Sequence, residues 1–123
     1  MVNSASSAAS WVAFLSRQAE VPFGSHLKAH FDAGSITRLC DCGCNSFDLM
    51  IPADKVLPPL CPPGSTGGKF FELVCESTLG SEVAFLLFVD KRGYLTGIDV
   101  TAGTTNHEPL PDGTSVSKVL YAL

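Results

Sequence analysis

The spacing of apolar residues divides the chain into a helical part and a strand part. From Ser4 to Ala19, Ala8, Trp11, Val12, Leu15 and Ala19 recur at helical spacing on one face. Ser4, Ser6 or Ser7 can cap this segment, its alanines favour a helix, and Pro22 stands where it must end. A second, short helix is predicted from His26 to Ala33. Ser25 is its N-cap, Leu27 and Phe31 its apolar pair, and Gly34 the left-handed residue beyond its end. The chain therefore opens with an αα-hairpin.

From Ser35 the period is two. Ile36–Cys40 and Phe47–Ile51 read as a hairpin, with Phe47, Leu49 and Ile51 on one face and Asp48 and Met50 on the other. Between them lies the turn Asp41-Cys42-Gly43-Cys44-Asn45. The stretch Pro52 to Gly68, with its prolines and closing glycines, reads as a long surface loop, partly polyproline II. Loops of this length in a small domain are often functional. Three strands follow. In Lys69–Glu76, Phe71, Leu73 and Cys75 face one way and Glu72, Val74 and Glu76 the other. Glu82–Asp90 is apolar almost throughout. Tyr94–Thr101 turns Ile98 and Val100 inward and Asp99 outward. Lys91-Arg92-Gly93 is a compact hairpin loop, and Val116–Leu123 fits a last strand or a helix equally.

These elements predict an α+β domain spanning residues 1–123, its N-terminal αα-hairpin packed on one face of an antiparallel sheet of about five strands. A strand apolar on both sides, as Val83 to Val89 is, calls for cover on both sides. The helices supply one cover. A second subunit's sheet, the proline loop or the C-terminal tail can supply the other, and the first of these predicts a homodimer.

Composition narrows the function. The 123 residues carry a net charge of −4, with 46% hydrophobic and 16% charged residues. That excludes a disordered chain and leaves no basic stripe for nucleic acid. No apolar run approaches the roughly 20 residues that span a bilayer. The N-terminal region lacks the basic start and apolar run of a secretory signal, so the expected location is cytoplasmic. Five cysteines cannot all pair within one chain, and a reducing compartment favours thiols or metal ligands.

The chemistry concentrates at Cys40-Asp41-Cys42-Gly43-Cys44. Three thiolates at one turn can supply three of zinc's four ligands. His30, His26, Cys61 or Cys75 would supply the fourth, and the site expected here is Cys40, Cys42, Cys44 and His30. The spacing is not the repeated C-x2-4-C of structural zinc sites, so the competing reading leaves Cys40 in the core and Cys42 and Cys44 in the turn. His26 and His30 share a helix face, without the glutamate of H-E-x-x-H. Gly64-Ser65-Thr66-Gly67-Gly68-Lys69 is not a phosphate loop: Pro63 and Phe70 occupy positions that need Gly and Ser or Thr, and a strand follows where a helix should. No G-x-S-x-G elbow is present. A Cys–His nucleophile pair would have to be assembled from the same cysteines and histidines.

Cys40-x-Cys42-Gly43-Cys44-x-Ser46 before a strand, then Leu86-Leu87-Phe88-Val89, Gly93-Tyr94-Leu95, Ile98-x-Val100 and Glu108-Pro109-Leu110-Pro111, resembles a group of small bacterial proteins of unknown function. The resemblance covers Phe23 to Pro111 and is most specific at the cysteine turn. It implies one compact bacterial domain, of a kind that suits a mobile gene cassette, and it implies no activity. The reading that follows is a non-enzymatic module that binds a small ligand or a protein, homodimeric through its sheet, with no cofactor. The alternatives are a zinc or thiol site at the cysteine turn, and a small enzyme with its pocket between the αα-hairpin, that turn and the proline loop.

Overall fold

Ser4 starts the fold. Its backbone is extended, and its Oγ accepts the Ser7 N–H at 3.1 Å, satisfying one of the donors a helix start leaves open. In the computed structural model, which describes residues 4–39, 46–61, 67–77, 82–102 and 116–122, helix α1 runs Ala5–Ser16 and α2 runs Gly24–Ala33. The strands are β1 (Ser35–Leu39), β2 (Phe47–Met50), β3 (Gly68–Ser77), β4 (Glu82–Val89), β5 (Leu95–Ala102) and β6 (Val116–Ala122). The chain is α+β, with both helices before the strands. Its sheet has six strands among the described residues, in the order β1-β2-β5-β4-β3-β6, all neighbours antiparallel. The ambiguous C-terminal segment is thus the sixth strand. It extends the sheet beyond β3, with Leu73 opposite Ala122 and Cys75 opposite Val119.

The helices depart from expectation at their ends. Helix α1 stops at Ser16, well before Pro22, and Ala19 is exposed rather than part of the apolar face. Phe14 joins that face instead. Helix α2 begins at Gly24, so Ser25 lies inside it and caps nothing. Gly34 is extended, at φ −96° and ψ 177°, not left-handed, because the chain passes straight into β1. Glycine is required there for space: a Cβ would lie 2.8 Å from Cγ of Leu49.

The core lies between the helices and one face of the sheet. Val83, Phe85 and Leu87 of β4 point into it and are fully buried, as are Leu73 and Cys75 of β3 and Ile98 and Val100 of β5. Trp11 and Phe14 of α1 lie over Phe85, with ring centroids 5.3 and 5.7 Å away. Phe31 of α2 meets Phe47 edge-on at 5.9 Å. Such aromatic contacts add to the large area each ring removes from water. Residues 52–61 of the proline loop are not merely a surface excursion. Leu60 is buried in this core, and its N–H donates to Gly93 O at 2.9 Å. Gly93, at φ +79°, ends the β4–β5 turn where a Cβ would strike Cys61 O at 2.4 Å.

Candidate functional site

His30 is the first residue the structure relocates. It is fully buried on the core side of α2, beside Leu27. Its Nε2 donates to Pro58 O at 2.7 Å, and its Nδ1 accepts the Leu95 N–H at 3.2 Å. That pair of partners selects the neutral Nε2–H tautomer. Burial pushes the His30 pKa down from 6.5, with His26 and Arg92 acting in the same direction against the Pro58 carbonyl and Asp90.

The ring stands edge-on to Tyr94 at 5.1 Å. The Tyr94 hydroxyl accepts the Leu57 N–H at 2.7 Å and donates to Lys55 O at 3.4 Å. Arg92 lies 4.3 Å above the Tyr94 ring, donates to the Asp90 carboxylate at 2.8 Å, and reaches Ile51 O and Pro52 O. Burial raises the Asp90 pKa, and hydrogen bonds from Arg92 and Tyr94 more than reverse this, holding it below the usual carboxylate value. Together His30, Arg92 and Tyr94 fasten residues 51–58 to α2 and to the β4–β5 turn.

This arrangement bears on the proposed metal ligands. Both ring nitrogens of His30 are taken by backbone partners, so neither offers a free lone pair as the ring now stands. Cys40, Cys42 and Cys44 lie outside the described residues. Cys75 faces the core, where burial, with Glu20, raises its thiol pKa to about 11; Cys61 is half-buried. Among the described residues no three His, Cys, Asp or Glu side chains gather where they could hold a metal ion.

A cavity of about 480 Å³ opens on the other side of the molecule, on the sheet face turned away from the helices. Asp48, Phe88, Thr96, Gly97 and Asp99 line it. Its position differs from the expected junction of hairpin, cysteine turn and proline loop. On this outer face, Phe88 stands opposite Gly97, Leu86 stands between Asp99 and Glu72, and Ala84 stands opposite Val74. Arg38 Nε donates to Asp48 at 2.8 Å on one side of the row, and Lys69 Nζ to Glu72 at 3.1 Å on the other. Burial and the neighbouring Asp48 raise the Asp99 pKa, and Arg38 partly offsets them.

The sequence placed Asp99 and Asp48 on an outward face but could not bring them together, because β2 and β5 are neighbours only through the strand order. His30 had a readable signal: it falls beside Leu27 and Phe31, on the apolar side of its helix.

No protein-family model, curated protein or solved structure matches the chain. No helix among the described residues is long and apolar enough to cross a membrane.

Proposed function

We propose that the protein is a non-enzymatic interaction module that pairs with a second copy of itself through the outer face of its sheet. Strand β4 carries this reading. Val83, Phe85 and Leu87 are fully buried on the helix side, while Ala84, Leu86 and Phe88 stay half-buried on the far side, where Val74, opposite Ala84, is itself buried. A contiguous apolar row on a sheet face is a surface that gains from cover, at about 25 cal/mol per Å² of apolar area. The margins of the row suit a second copy. Arg38–Asp48 and Lys69–Glu72 are each internally neutral pairs. A two-fold axis can therefore bring row against row with these pairs neutral at its borders, while Asp99, opposite Leu86, is the carboxylate that works against pairing. Elsewhere the net charge of −4 keeps copies apart.

Sedimentation equilibrium on the wild type and on Leu86→Lys tests the reading. The wild type should be dimeric in the micromolar range. The variant should be monomeric, with its unfolding free energy in urea lowered by no more than about 1 kcal/mol, since Leu86 is only partly buried. A wild type that stays monomeric at high micromolar concentration would rule the reading out.

A further inference from the structure

We infer that the depression beside Phe88 is a binding site for a small organic cation, an ammonium or guanidinium group on an apolar stem. The backbone builds it. Strands β4 and β5 pair Phe88 with Gly97 and Val89 with Leu95, so Thr96 is an extra residue in the ladder. A bulge of this kind re-aims a side chain, and here Thr96 and Gly97 both line the depression. Gly97 leaves the floor bare. A Cβ at that position would lie 2.9 Å from Phe47 O and 3.0 Å from Oδ1 of Asp48. Phe88, directly across the ladder, forms a wall with an aromatic face.

The charge on the lining selects the ligand. Asp48 and Asp99 are the ionisable groups that line the depression. Asp48 is held by Arg38 at 2.8 Å. No donor among the described residues hydrogen-bonds the Asp99 carboxylate, although it is partly withdrawn from water. An anion would meet two carboxylates. A neutral apolar ligand would desolvate Asp99 further and give it nothing in return. A cation on an apolar stem meets both needs: its stem packs against Phe88, and its charge lies between the ring face and Asp99. One chain builds the site by itself, and because Phe88 belongs to the apolar row, a second copy seated on that row would compete with the cation.

The test uses the full ¹⁵N-labelled chain, titrated with phenethylamine and, separately, with phenethyl alcohol, which has a similar shape and no charge. The amine should give saturable amide shifts at Thr96, Gly97 and Asp99. The alcohol, which loses both the ion pair and the contact of charge with ring, should bind about tenfold more weakly, and the amine should bind Asp99→Asn about threefold more weakly. Equal binding of amine and alcohol to the wild type overturns the proposal, and that comparison needs no variant to fold. Undiminished amine binding to a folded Asp99→Asn, or no saturable shift up to about 20 mM amine, also overturns it. Sedimentation of the same samples separates the two readings. A monomer that binds the amine keeps the cation site and loses the dimer; a dimer indifferent to the amine does the opposite.

Discussion

The two faces of strand β4 carry nearly the same kinds of side chain and have different fates. Val83, Phe85 and Leu87 are fully buried, Phe85 beneath Trp11 and Phe14, and the alternate residues Ala84, Leu86 and Phe88 are half-buried beside carboxylates and a glycine. Side-chain hydrophobicity does not separate these sets. Among the described residues, what separates them is that the two helices pack on the face that carries Val83, Phe85 and Leu87. The inner face holds the core, and the outer face carries half-buried apolar residues beside Asp48 and Asp99.

The sharpest way to break this comparison is to truncate one aromatic ring on each face. Phe85→Ala should lose about 3–5 kcal/mol in urea denaturation, because it leaves a closed cavity under the Trp11 ring. Phe88→Ala should lose less than about 1.5 kcal/mol, since solvent can fill the gap. Similar losses at both positions would erase the distinction between the faces.

A second test asks how far the inner side depends on a buried polar group. His30→Ala should cost about 2–4 kcal/mol, from lost packing and from leaving the Leu95 N–H without its acceptor. The wild type should also weaken with acid. The folded His30 pKa lies below 6.5, so the unfolded chain takes up the proton first. This contribution to stability is whole above the unfolded value. It falls as the pH drops below about 6.5 and levels off below the folded pKa. His26, Asp90 and Arg92 act on the ring across the same window. His30→Gln should flatten the slope of unfolding free energy against pH between about pH 7 and 5. An equally steep slope in that variant would assign the acid response to other groups.

The smallest effect belongs to the outer face. Its Asp99 pKa is raised above 3.8, so the ionised carboxylate disfavours the folded state at neutral pH, and that penalty fades as acid protonates it. Asp99→Asn should therefore raise stability at pH 7 by up to about 1 kcal/mol and tighten self-association. A loss of stability would mean that Asp99 is satisfied by contacts on the face rather than isolated there.

Much of the architecture was readable because alternation survives wherever one face is covered. Phe71, Leu73 and Cys75, and likewise Ile98 and Val100, face inward as their period of two requires. Less was readable wherever a residue's role depends on a distant neighbour. Gly34 looked like a helix terminator and instead makes room for Leu49 of the adjoining strand. His30 sits on an apolar helix face, but its two partners come from a loop and from β5, which local pattern cannot connect. The depression was hidden for the same reason. It needs a bulge that exists only in the pairing of β4 with β5, and a strand order that brings Asp48 alongside Gly97.

The hydrogen bond between His30 and Leu95 joins groups 65 positions apart in the chain, whereas β3, β4 and β5 form a meander of successive neighbours. Hairpins of that kind form from local encounters, and closing a long loop carries an entropy penalty that later contacts must repay. The histidine thus ties the helical end of the chain to the meander by one of its long-range closures, and the entropy of that closure is a cost that the buried ring and its two hydrogen bonds offset.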